Sequence, residues 1–114
     1  MIKTLGGRRL GRTGEHRRAL LKNLAVSLIL HERVTTSVAK AKELRPYAEK
    51  IITQAKNGLH HEVRRRVQDK AAYKKLFDVL APRYQNRPGG YTQILRVARR
   101  IGDNSPQGLI RLIP

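Results

Sequence analysis

The side chains best equipped for chemistry in this chain are cations and aromatics. Between positions 82 and 100 stand Arg83, Arg87, Arg96, Arg99 and Arg100, with Tyr84 and Tyr91 among them. A guanidinium matches phosphate oxygens with two parallel hydrogen bonds, and an aromatic ring offers an unstacked base a face to lie on. That chemistry is grip on a polynucleotide, without bond making. The plain alternative is a strand whose arginines face solvent and whose tyrosines pack under a loop. Tyr91 opens a strand-like run and weighs toward the core, whereas Tyr84 weighs toward contact.

Two further groups of cations repeat the signal. Lys3, Arg8, Arg9 and Arg12 sit beside Gly6, Gly7 and Gly11, and His16, Arg17, Arg18 and Lys22 follow. Residues 1–22 hold seven Lys and Arg against one acid, Glu15. A merely solvated helix face mixes both signs, and this one does not. Lys40, Lys42 and Arg45 lie near the start of a helix, the end where the macrodipole disfavours cations. Phosphate supplies a reason for them; without one they cost only a few tenths of a kcal/mol each. Arg64-Arg65-Arg66 is a fourth run, but adjacent helical residues point in different directions, so it ranks below the arm as an RNA contact.

Frames for catalysis are missing. His16, His31, His60 and His61 have no partners at metal-ligand spacing, and the chain has no cysteine. The eight acids are scattered singly, and neither Glu15/Glu32 nor Glu43/Glu49 forms an acid–base frame. Gly89-Gly90 lacks the Lys and Ser/Thr of a phosphate-loop NTPase, and Ser27, Ser37 and Ser105 lie outside any nucleophile elbow. No enzyme, cofactor, metal site or small-molecule substrate is expected. No apolar run reaches the roughly 20 residues that span a bilayer, so no membrane partner is expected either.

The chain has 114 residues and a formal net charge of +17, from 25 Lys and Arg against 8 Asp and Glu. Self-repulsion at that density calls for a polyanion. The length suits one modest core. Residues 1–12 bury too little to fold alone and read as a basic extended arm, with 13–114 as a single globular domain.

The elements that position the cations follow from periodicity. Thr13 can cap a helix to about Leu30, with Leu20, Leu21, Leu24, Ala25 and Leu28 as its apolar stripe. Val34–Ser37 reads as a short strand, and Ser37 as the cap of a helix ending at Asn57-Gly58, a left-handed pair. Pro46 inside that helix either kinks or splits it. Residues 59–69 read as a short helix. Asp69 caps another over 70–81, with Ala72, Leu76, Phe77, Val79 and Leu80 buried, Lys70, Lys74 and Lys75 facing out, and Pro82 as its stop. Residues 91–100 and 109–113 form a hairpin across a Gly102-to-Pro106 turn. The expected fold is α+β, with helices on one face of a small three-stranded mixed sheet.

Two partner classes fit: folded RNA in a large ribonucleoprotein, and double-stranded DNA. A DNA reader of this size presents one recognition element. Cations spread over arm, helices, loop and strand favour enclosure by RNA.

The chain also resembles the bacterial large-subunit ribosomal protein numbered seventeen. The resemblance rests on Gly7-Arg8-Arg9-Leu10-Gly11-Arg12, His16-Arg17-Arg18-Ala19, His31-Glu32-Arg33-Val34-Thr35-Thr36, Lys40-Ala41-Lys42-Glu43-Leu44-Arg45, Ala81-Pro82-Arg83-Tyr84, Gly89-Gly90-Tyr91-Thr92 and Gly102-Asp103. It spans nearly the whole length. It implies a structural constituent of the large subunit, bound to its major rRNA near the peptide tunnel exit and next to the large-subunit protein numbered thirty-two. It also implies a mixed α/β domain with a three-stranded sheet. The chain departs from the family at Ile2-Lys3-Thr4, at Thr13-Gly14 and in its Arg111-to-Pro114 tail. A cytoplasmic and an organellar ribosome both fit that pattern.

Overall fold

The computed structural model describes residues 14–99, 101, 102 and 104–114. The arm with Lys3, Arg8, Arg9 and Arg12, the Thr13 cap and Arg100 lie outside the described residues.

Helix α1 spans Gly14–His31 and buries Leu21, Ala25, Leu28 and Ile29 at three- and four-residue spacing. The Glu32 amide donates to the Leu28 carbonyl at 2.7 Å, and Glu32 takes a left-handed φ of 63° that turns the chain into β1, Arg33–Ser37. The Ser37 hydroxyl accepts from the Lys40 amide at 3.3 Å, which caps α2, Val38–Lys56. Helix α2 runs through Pro46 as one element. Position 46 is exposed, so a carbonyl left unpaired by the missing amide can be hydrated. At its end only Gly58 is left-handed, with φ 72°, while Asn57 has φ −88°.

The next segment departs from expectation. Helix α3 covers only His60–Arg64, though Val63 and Val67 are both buried one turn apart. The Asp69 carboxylate accepts from the Ala72 amide at 3.0 Å and caps α4, Lys70–Lys75. A π-helical turn, Leu76–Leu80, then leads into α5, Ala81–Arg83. Pro82 therefore does not stop the helix. The wide turn inserts an extra residue, the Ala81 amide reaches back to the Leu76 carbonyl, and Pro82 falls in the first turn of a new segment, where no amide is needed. The same insertion rotates Val79 outward to 42% exposure, while Leu76 and Leu80 stay buried.

Strands β2, Thr92–Val97, and β3, Gln107–Leu112, close the chain. The sheet order is β1-β3-β2 and both pairings are antiparallel. The sheet is thus not mixed. β1 and β2 share a direction, but the returning strand of the hairpin lies between them. Val34, Ile94, Ile110 and Leu112 turn toward the helices, where Leu28, Leu44, Ile51, Ile52, Leu76 and Leu80 complete the core. Arg33, Thr35, Leu95, Val97 and Arg111 alternate onto the opposite, exposed part of the sheet.

Candidate nucleic-acid interface

The buried stripe of α1 dictates where its cations stand. Arg18 and Lys22, one turn apart, border a groove completed by Tyr47 of α2 and by Arg65 and Arg66 just after α3, with Glu15 as the acid on its rim. His16 and Arg17 lie in the first turn of the same helix. Burial pushes the Tyr47 phenol up from its ordinary value of 10.0.

On α2 the three cations do not form one patch. Lys40 and Lys42 differ by about 160° around the helix at 100° per residue, so they flank the buried stripe on opposite sides. Lys42 and Arg45, three residues apart, share a flank. The Arg45 Nε lies 3.7 Å from Glu49 Oε2, and that carboxylate accepts from the Thr92 amide at 3.2 Å and hydroxyl at 2.9 Å. Arg45 thus stands over the joint between α2 and β2.

Nor do the four described arginines of 82–100, Arg83, Arg87, Arg96 and Arg99, converge. Arg83 sends its fork to Glu32, with Nη1–Oε1 2.6 Å and Nη2–Oε2 3.2 Å. Lys75, expected to face out, instead places Nζ 3.0 Å from Glu32 Oε2 and 3.0 Å from the Leu30 carbonyl. Held first of all by the Arg83 hydrogen bond, the Glu32 carboxyl drops to about 2. The same pairing raises Arg83 above its ordinary range. Arg87 donates from Nε to the Gly89 and Gly90 carbonyls at 3.3 and 3.1 Å, two local contacts at the exposed surface of the loop. Arg96 and Arg99 lie toward the far end of the hairpin, roughly 20 Å along the strand from the loop. Arg96 is exposed, and the Arg99 Nη1 donates to the Asn104 carbonyl at 2.9 Å.

Tyr84 corrects the expectation of a base contact. The residue is 2% exposed, its ring packs at 5.0 Å and a 45° tilt against the ring of the buried Tyr91, and its hydroxyl donates to the Ile113 carbonyl. The Ile113 carbonyl takes its hydroxyl, so the ring that looked available from sequence is buried in the fold. Burial pushes its phenol up from the ordinary value. Tyr91 packs in the core as expected, and its hydroxyl accepts from Lys56 Nζ at 3.0 Å.

Sequence reasoning did not place Arg65 and Arg66 beside Arg18 and Lys22. No local pattern shows that a turn after α3 brings them beside Arg18 and Lys22. It also passed over Arg33 and Arg111, which face each other across β1 and β3. Their unbroken positive sign was legible, but the pairing needs the register.

Among the described residues no group of three His, Asp or Glu could hold a metal, and no helix is long and apolar enough to cross a membrane. These features define a class: a strongly basic α+β domain with a three-stranded antiparallel sheet. The family model described as Ribosomal protein L17 matches residues 20–113. The chain is 55% identical over 113 residues to the large ribosomal subunit protein bL17 of Elusimicrobium minutum (strain Pei191), covering 99% of each. It is 47% identical over 116 residues to that of Endomicrobium trichonymphae, again covering 99% of each. Against the protein of Anaeromyxobacter sp. (strain K) it is 54% identical over 110 residues, 94% of this chain and 70% of the relative. The chain belongs to the ribosomal protein L17 family, a family of structural ribosomal components and not of enzymes.

Proposed function

We propose that the chain stabilises the large ribosomal subunit of the cytoplasmic ribosome by binding its major rRNA through phosphate contacts. Membership in the family supports the ribosomal role. The carrying observation for the mode of binding is the charge: a net +17 on 114 residues, with Lys and Arg in residues 1–12, in the helices, in the loop before β2 and in the hairpin. A partner must neutralise several sides at once, and folded RNA does so where a single duplex groove does not.

The roles divide by what each side chain already holds. Lys3, Arg8, Arg9 and Arg12 of the arm, then His16, Arg17, Arg18 and Lys22, form one phosphate track. Lys42 with Arg45, and Lys40 on the other flank, form contacts along α2. Arg87, Arg96, Arg99 and Arg100 serve the loop and hairpin. Arg83 holds Glu32 and positions the loop. Residues 1–12 are assigned to an arm that orders on RNA, and 13–114 to the globular body. A seat near the peptide tunnel exit, beside the large-subunit protein numbered thirty-two, follows from the family resemblance.

Co-sedimentation tests this reading. The full chain is expected to travel with large subunits through a moderate salt wash. Deletion of residues 1–12 is expected to weaken rRNA binding with little loss of helical circular dichroism. Failure to co-sediment would overturn the ribosomal reading, and unchanged affinity after deletion would remove the arm from it.

A further inference from the structure

We infer that the groove between α1 and the turn after α3 seats one strand of RNA by its phosphates, with Arg65, Arg66 and Tyr47 as parts of the site. This rests on the rRNA-binding reading and adds a surface to it.

Four cations from two distant parts of the chain meet here: Arg18 and Lys22 on one wall, Arg65 and Arg66 on the other. The acid on the rim, Glu15, leaves the groove strongly positive. Like charges gathered across a groove repel one another, and an anion lying between them removes that cost. Their present partners hold them weakly. Arg65 is 3.8 Å from Glu62 with 75% of its side chain exposed, a pair worth little in water. Arg66 donates to Gln54 Oε1 at 3.4 Å, a long bond between a charged and a neutral group. A phosphate would take both guanidinium groups in two-pronged geometry.

The shape suits a chain rather than a point ion. Arg18 and Lys22 are separated by about 6 Å along the helix axis, so they can serve successive phosphates. Lys22 and Arg66 also border the next hollow, where Asn23, Ser27 and Gln68 offer neutral donors and acceptors to sugar and base edges. Asp69 lies there too, but its carboxylate is turned to the Ala72 amide at 3.0 Å. The half-buried Tyr47 ring gives a base a surface, which an acidic peptide would not need.

The test uses the full chain and large-subunit rRNA fragments over a series of salt concentrations. The double variant Arg65→Gln/Arg66→Gln is compared with Lys22→Gln and with Arg64→Gln, whose guanidinium lies 5.5 Å over the Tyr73 ring, away from the groove. Each cation withdrawn from unpaired RNA is expected to lower the salt slope by about 0.7, so the double variant falls by about 1.4 and Lys22→Gln by about 0.7. Arg64→Gln is expected to leave the slope unchanged. Photo-crosslinking is expected to attach RNA to the peptide holding Tyr47. Normal rRNA binding with an unchanged slope in the double variant overturns the groove and leaves the function standing. An equal drop in Arg64→Gln overturns it as bulk charge. An acidic polypeptide that binds the groove while the double variant keeps full rRNA affinity overturns it in favour of a protein partner. A wild-type chain that ignores rRNA brings down the functional reading itself.

Discussion

Glu32 and Arg83, 51 positions apart, are joined by a two-pronged ion pair of 2.6 and 3.2 Å. Lys75 shares the same carboxylate at 3.0 Å. One residue at the end of α1 thus ties α4 and α5 to the start of the sheet, where the Leu112 amide also donates to the Glu32 carbonyl at 2.9 Å. The loop that follows Arg83 carries Arg87. The tie therefore links the packing of the core to the placement of a cation at the surface.

The tie has a pH signature. The Glu32 carboxyl sits at about 2 in the folded chain against an ordinary 4.5. A depressed folded value means that the contribution is fully present above about pH 4.5 and is lost as pH falls toward 2. The unscreened shift corresponds to about 3 kcal/mol, and a side chain 35% exposed retains about 1–2 kcal/mol of it. Denaturant melts of the wild type and Glu32→Gln are expected to differ most near neutrality and to converge by pH 2. A gap that stays constant across that window would mean that ionisation of Glu32 does not stabilise the fold.

Glu32 holds its position at the cost of a left-handed backbone, φ 63°. Glu32→Ala and Glu32→Gly both remove the ion pair, but only glycine relieves the backbone. Glu32→Gly is expected to be more stable than Glu32→Ala by about 1 kcal/mol, measured by thermal and denaturant unfolding. Alanine equal to or above glycine would show that the turn from α1 to β1 does not need this conformation.

Local signals were legible and non-local ones were not. The Ser37 and Asp69 caps depend on side chains three residues from their partners, so spacing alone located them. The stripe of Leu21, Ala25 and Leu28 and that of Ala41, Leu44, Ile51 and Ile52 announced two helices and the face each buries. The position of β3 between β1 and β2 carries no local mark, because either order buries the same aliphatic residues. The π-helical turn at Leu76–Leu80 hid in a run that reads as ordinary helix, and it moved both Val79 and the role of Pro82. For the cations, sign and density were plain. Which of them meet was not, since Arg18 and Arg66 become neighbours only when α1, α2 and α3 pack together.

Gly108 tests the packing between sheet and helix. It is buried on β3, opposite Arg96 and Thr36, with a backbone that L-residues adopt freely. A methyl there would meet Val38 Cγ2 at 3.5 Å and Ile94 Cγ2 at 3.6 Å, ordinary contact distances. Gly108→Ala is expected to be neutral or to stabilise by up to about 0.5 kcal/mol, because the unfolded chain loses freedom. Gly108→Leu must push against the Val38 backbone, 3.6 Å away, and is expected to cost about 1–3 kcal/mol. Strong destabilisation by alanine would mean that α2 lies closer to β3 than described.

Tyr84 and Arg87 separate folding from binding within one loop. The Tyr84 hydroxyl donates to the Ile113 carbonyl beneath the surface, whereas Arg87 is exposed above it. Tyr84→Phe strands a carbonyl at the C-terminal edge of the core and is expected to cost about 1–2 kcal/mol of stability. The same change is expected to leave the salt slope of rRNA binding untouched, since it removes no charge and the ring is buried. Arg87→Gln is expected to do the reverse: little change in unfolding, and a slope lower by about 0.7–0.9, the share of a single neutralised phosphate. The two variants together form a crossed test, read by chemical unfolding on one side and salt titration on the other. If Tyr84→Phe lowered the slope as Arg87→Gln does, the loop would have to open on RNA and expose the ring. The division between a buried tyrosine that builds the loop and an exposed arginine that uses it would then be wrong.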